Sequence, residues 1–193
     1  MAGASRSAGG REPILSGQPV WLFAYGSLIW RPDFPFLDQT LAAACGWSRR
    51  FWQGSHDHRG TPDSPGRVVT LVRDVSASCA GVAYLLDTET LTATFEALDH
   101  REKNGYARES IMLDAGSRGI IDAVVYRAPP GNPAWLGDAP IPSLAAQIAA
   151  SSGPSGHNAD YLFGLAQALR SRGIDDPHVF MLESEVRGLL AGA

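Results

Sequence analysis

The order in which apolar patterns follow one another narrows the folds open to this chain more than any single motif: strand-like segments come first, and helical ones close the chain. Val20 to Tyr25 (VWLFAY) is a near-continuous apolar run, as expected of a strand buried on both faces. Thr40 to Gln53 is apolar with aromatics at Trp47, Phe51 and Trp52 and predicts another strand. Arg67 to Arg73 (RVVTLVR) and Cys79 to Leu86 (CAGVAYLL) are rich in β-branched and apolar residues, and Asp74 to Ser78 between them predicts a hairpin turn. Arg108 to Asp114 and Ile120 to Arg127 repeat that pattern around Ala115-Gly116-Ser117 and predict a second hairpin. One helix interrupts the strands: Thr88 to about Arg101 carries Leu91, Phe95 and Leu98 on one stripe, with Asp87 or Thr88 able to cap it. After Ala128 to Pro142, a long proline-rich connection, the pattern is helical over Leu144 to Ala150, then over Asn158 to Arg172, opening on an Asn cap and closing at Gly173. A last helix opens on Asp176-Pro177 and presents Val179, Leu182, Val186 and Leu189 on one side. Strands first and helices last predict an α+β domain, a curved sheet or small barrel with the late helices packed on it.

Size and charge set the remaining bounds. The 193 residues fit one domain, predicted over 20–193 behind a flexible tail at 1–19. A hydrophobic share of 45% and a charged share of 19% exclude a disordered chain, and the net charge of -4, with no basic run beyond Arg49-Arg50, argues against a nucleic-acid partner. Cys45 and Cys79 can form at most one disulfide, which favours a reducing, cytoplasmic home. No apolar stretch reaches the ~20 residues of a membrane span, and the first residues lack the apolar core of a signal peptide.

Four segments carry candidate chemistry. In VWLFAYGSLIW, Tyr-Gly-Ser reads first as a chain reversal, yet large apolar residues follow it where a surface turn should be polar. The alternative is a rigid loop whose backbone N–H groups around Gly26 and Ser27 face a pocket and hold an anionic group. LDHREKNGY ends an amphipathic helix in a charged cap, or places Glu102 as a general base against a pocket wall with Tyr106 alongside. In HDHRG, His56 and His58 share a face if they lie on a strand, but no third metal ligand is evident, and a hydrogen-bonded loop is the default. Neither Ser27 nor Ser155 sits in a G-x-S-x-G elbow, so each reads as a turn serine. GPSGHNADYL feeds a helix start, with Tyr161 one turn in.

Taken together, FAYGSLIW, RRFWQGS with DHRGTP, PGRVVTLV, GVAYLL, LDHREKNGY and GPSGHNADYL occur in an order and spacing that resembles the ChaC-like γ-glutamylcyclotransferases over roughly Val20 to Leu190. The resemblance implies an α+β fold, a small mixed β-barrel with flanking helices, and cleavage of glutathione to 5-oxoproline and cysteinylglycine. It carries the catalytic glutamate onto Glu102. Tyr25, Gly26, Ser27 and Leu28 become the loop that holds the γ-glutamyl end, with Tyr106, beside the glutamate, and Tyr161 as further substrate-binding residues. It implies no metal, no other cofactor and no obligate protein partner. His56 and His100 depart from the residue types the resemblance leads one to expect, and His56 bears on the pocket rim and so on the leaving group. Two rival readings stand beside it: a cyclotransferase for other γ-glutamyl amides or dipeptides, and a non-catalytic metal-binding or ligand-binding regulator using His56 and His58.

Overall fold

The computed structural model describes residues 17–192; the tail expected over 1–19 lies, but for its last three residues, outside the described residues. Five strands close into a barrel in the order β1-β3-β2-β4-β5: β1 (Val20–Ala24), β2 (Asp38–Ser55), β3 (Gly66–Leu86), β4 (Ala107–Asp114) and β5 (Ile120–Arg127). β5 pairs with β1 in parallel and every other pairing is antiparallel, so the barrel is mixed. Closure removes the free edges an open sheet would expose.

The predicted first hairpin is not there. Arg67 to Leu86 lies on one continuous strand of 21 residues, antiparallel to the 18 residues of β2. Asp74 to Ser78 does bend the chain, because Asp74 Oδ1 accepts from the Ser76 N–H at 3.2 Å and the Ser76 hydroxyl at 2.7 Å. The partner strand absorbs that bend as a bulge, its register slipping between Cys45 and Trp47 where Gly46 takes φ +79°. Without a glycine or asparagine of its own to reverse direction, the segment kinks instead of turning back. Such long strands must bend to wrap a small barrel, and the second slip, between Arg50 and Gln53, supplies another corner. The second predicted hairpin is present: β4 pairs with β5 through a short 3-10 turn at Gly116–Arg118.

Helix α1 (Leu91–Arg101) buries Leu91, Phe95 and Leu98, as its stripe predicts, but its N-cap is Thr90 and makes no side-chain cap bond. Three later helices, α2 (Ile141–Ala150), α3 (Asn158–Arg170) and α4 (Pro177–Ala191), pack together. Asp176 caps α4 by accepting from the Val179 N–H at 3.1 Å, and Val179, Leu182 and Val186 are buried, while Leu189 is exposed. Asn158 does not cap α3. Its fully buried amide instead brackets the Arg67 backbone, accepting from the N–H at 2.6 Å and donating to the carbonyl at 2.8 Å, which ties α3 to the start of β3. No helix among the described residues is long and apolar enough to cross a membrane.

Candidate active site

Beyond β1 the chain enters a 3-10 turn, Ser27–Ile29, and this turn explains the apolar residues around Tyr-Gly-Ser. Leu28 and Ile29 are buried, so the turn is anchored from within. Its backbone oxygens are captured as well. Arg49 Nε donates to the Tyr25 carbonyl at 2.6 Å, Tyr84 to the Leu28 carbonyl at 3.2 Å, and Arg172 Nη2 to the Ile29 carbonyl at 2.8 Å. Arg101 Nη2 donates to the Ser27 hydroxyl at 2.9 Å. A loop fixed at Tyr25, Ser27, Leu28 and Ile29 holds still the N–H groups that open the turn, which have no partners within it.

Glu102 is the residue at which α1 stops: its N–H still donates to the Leu98 carbonyl at 2.8 Å, while its φ and ψ of -97° and 17° leave the helix. Lys103 to Gly105 then turn the chain into β4, with Gly105 at φ +84°. The Glu102 side chain is 18% exposed. Burial lifts its carboxyl above the ordinary value of 4.5; the Arg101 guanidinium, 3.4 Å from Oε1, opposes the rise and the Asp57 carboxylate adds to it.

The Glu102 side chain lines two adjoining spaces. An outer cavity of about 300 Å³ shares Ser27, Glu102, Tyr106 and Tyr161 with an inner recess of about 40 Å³. The seven residues expected to be catalytic or substrate-binding, Tyr25, Gly26, Ser27, Leu28, Glu102, Tyr106 and Tyr161, line the inner recess, while His58 and Ser155 line the outer cavity. Gly26 leaves the space that Tyr161 uses, since a Cβ there would stand 3.1 Å from the phenol oxygen and 3.0 Å from Val69 Cγ2. Tyr106 donates to the Val69 carbonyl at 2.6 Å and Tyr25 to the Tyr126 carbonyl at 2.7 Å. Burial pushes the pKa of Tyr25, Tyr106 and Tyr161 upward, so the recess is walled by neutral phenols at neutral pH.

Reading the sequence missed most of the outer cavity, where Arg31, Asp33, Asp57, Arg59, Arg101 and Asn104 supply the charge and polarity. β2 ends at Ser55, so His56 and His58 lie in a bend and not on one strand face. His58 Nδ1 is 3.0 Å from the Ser155 hydroxyl, and among the described residues no three His, Cys, Asp or Glu side chains converge as a metal site would require. The bend is locked by glycines from three motifs. A Cβ on Gly60 would fall 2.1 Å from the Gly66 N, and one on Gly153 would fall 2.5 Å from the His58 carbonyl oxygen and 2.6 Å from the Gly60 N. Only glycine permits these backbones to touch.

Comparison with known proteins places this architecture. The family described as ChaC-like protein matches residues 20–189. The chain belongs to the ChaC-like family. Among its relatives, the glutathione-specific gamma-glutamylcyclotransferase 1 of Homo sapiens is 40% identical over 180 residues, covering 90% of this chain and 81% of the relative. The glutathione-specific gamma-glutamylcyclotransferase of Schizosaccharomyces pombe is 37% identical over 188 residues, covering 87% and 92%. The crystal structure of a gamma-glutamylcyclotransferase specific to glutathione from yeast superposes with a TM-score of 0.82 at 28% identity, covering 89% of this chain and 96% of that one. The mixed barrel with flanking helices is therefore the fold of this ChaC-like chain and of that yeast enzyme alike.

Proposed function

We propose that this ChaC-like protein is a glutathione-specific γ-glutamylcyclotransferase that releases 5-oxoproline and cysteinylglycine, with Glu102 as its proton shuttle. The observation that carries the reading is a carboxylate of raised pKa placed where the pinned Tyr25–Leu28 loop meets a recess walled by neutral phenols. Relatives named for glutathione cleavage at 37–40% identity supply the substrate.

The reaction needs little from the protein beyond folding the substrate and moving protons, because nucleophile and electrophile belong to one molecule. Glu102 accepts a proton from the glutamyl α-ammonium, and the freed amine attacks the γ-amide carbonyl carbon. The five-membered ring closes through a tetrahedral oxyanion. That oxyanion collapses and the bond to the cysteinyl nitrogen breaks as Glu102 returns its proton to the leaving amine; the second proton on the ring nitrogen then passes through the same carboxylate to the released amine, which departs as an ammonium and leaves the neutral lactam. No water is consumed and no covalent enzyme intermediate forms. The Tyr25–Leu28 loop holds the γ-glutamyl end through its backbone, and Tyr106 and Tyr161 bound the ring as it closes.

Purified protein incubated with glutathione should yield equimolar 5-oxoproline and cysteinylglycine by mass spectrometry. Comparable kcat/KM on γ-glutamyl-alanine would sink specificity for glutathione, and no product from any γ-glutamyl compound would sink the enzyme. The pH profile gives a further prediction. A shuttle that begins the cycle as a base must be deprotonated, so kcat/KM should fall on acidification through Glu102's own pKa, with that limb above the ordinary 4.5 because burial raises it. A rate flat down to pH 4.5 would remove Glu102 from that role.

A further inference from the structure

Of the motif His56-Asp57-His58-Arg59-Gly60 only Asp57 bears on the reaction described above, yet the motif also places a cation, Arg59, in the outer cavity. Three arginines line that cavity, and two of them are engaged. Arg31 faces Asp33 at 4.0 Å from a side chain 63% exposed, and Arg101 is held by Ser27, Asp33 and Glu102. Arg59 makes no ion pair among the described residues. Its guanidinium donates one hydrogen bond there, from Nη1 to the His157 carbonyl at 3.1 Å, and lies 5.9 Å from the centre of the Tyr161 ring. A guanidinium carries five N–H donors in a fork that matches a carboxylate, so most of this one's capacity is free.

Its position is built in. The Arg59 N–H donates to the buried Ser55 hydroxyl at 3.0 Å, and the Ser155 N–H donates to the His58 carbonyl at 2.9 Å. The next residue, Gly60, packs backbone to backbone against Gly66 and Gly153. A half-buried arginine on so rigid a bend, aimed into a cavity without a carboxylate partner, is arranged for an anion that arrives with a ligand. Burial lowers its pKa, and the Tyr161 phenol and the Asp160 carboxylate offset that only in part.

We propose that Arg59 is a specificity residue that binds the glycyl carboxylate of glutathione at the outer end of the site. This inference rests on the glutathione reading above. In an extended tripeptide the terminal carboxylate lies two residues, up to about 7 Å, beyond the γ-amide being cleaved. Arg59 lines the outer cavity and not the inner recess, whereas Glu102 lines both, so the cation stands on the leaving-group side of the reacting carbonyl. A γ-glutamyl amino acid carries its carboxylate one residue too close to be read there, and the binding site thereby measures the length of the leaving group.

The test compares glutathione with its glycyl ethyl ester, which removes only the terminal charge, on the unaltered protein, Arg59→Met and Arg59→Lys. The unaltered protein should favour glutathione about 10- to 100-fold in kcat/KM, the size of one charge-assisted contact. Arg59→Met should lose that factor on glutathione, through KM, and keep its rate on the ester; Arg59→Lys, with charge but no fork, should fall between. Because the ratio of two substrates cancels the active concentration, partial unfolding of a variant does not disturb it. Arg59→Met with the unaltered protein's ratio, or an unaltered protein indifferent to the ester, overturns the assignment. Failure of the unaltered protein to release 5-oxoproline from glutathione overturns the activity itself, which is seen without any variant.

Discussion

Glu102→Gln should lose about 10²–10⁴-fold in kcat on glutathione while remaining folded, because it removes a general base and acid and almost nothing else. Glutamine preserves the outline of the side chain, and the helix end does not depend on the carboxylate, since it is the Glu102 backbone N–H that reaches Leu98. Arg101 loses one partner at 3.4 Å but keeps its bonds to the Ser27 hydroxyl and the Arg31 carbonyl, so the Tyr-Gly-Ser loop stays in place. Stability separates chemistry from collapse. A carboxyl whose folded pKa is raised contributes its full stability below the unfolded value of 4.5 and loses it as pH rises through the folded value. At neutral pH the native state therefore carries a buried charge that the glutamine variant lacks, and the variant should melt no lower than the unaltered protein. Full activity in a folded Glu102→Gln would mean that another group moves the proton, while a lowered melting point would turn the loss into a folding effect.

What the sequence made legible follows physical range. Local patterns survived: the stripe of Leu91, Phe95 and Leu98, the Asp176-Pro177 helix start and the hairpin around Gly116 all rest on contacts within a few residues. The continuous run of β3 was not legible, because Asp74 and the serines after it speak for a turn locally, and it is their pairing with a strand some thirty residues earlier that keeps the chain extended. Asn158 deceived for the same reason; a good capping residue was taken up by a long-range bond to Arg67. Within the site, the motifs pointed to the loop and the glutamate, which now line one recess. The arginines that hold the loop, Arg49 and Arg172, carry no local pattern, since an arginine reaching a distant carbonyl looks like any surface arginine until the fold brings the two together.

Arg49 is where that invisible contribution should be largest, and Arg49→Met is expected to destabilise the protein by about 3–5 kcal/mol, lowering the melting temperature by roughly 10 °C or more. The guanidinium is fully buried and every one of its nitrogens is used: Nε on the Tyr25 carbonyl, Nη1 on Asp176, Nη2 on the Ala80 carbonyl. One side chain thus joins the end of β1, the middle of β3 and the cap of α4, three parts of the fold that no local interaction connects. Replacing it with methionine fills the volume but leaves two carbonyls and a carboxylate without their donor, and buried groups left unpaired cost more than the pair itself contributed. Asp176→Asn provides the comparison. Asparagine is as good a cap and keeps its one oxygen on the Val179 N–H, but it turns an NH2 toward Arg49 Nη1, so it removes one of the three Arg49 contacts while sparing the helix start and the two carbonyl bonds. It should cost clearly less than Arg49→Met. Below its melting temperature, Arg49→Met should also raise KM for glutathione, because the Tyr25 carbonyl it releases belongs to the loop that holds the γ-glutamyl end, whereas Asp176→Asn should leave KM near that of the unaltered protein. Equal destabilisation by the two variants would locate the effect in the ion pair with Asp176, and an Arg49→Met that melts within a degree or two of the unaltered protein would show that Tyr84, Arg101, Arg172 and the apolar flanks hold the loop without it.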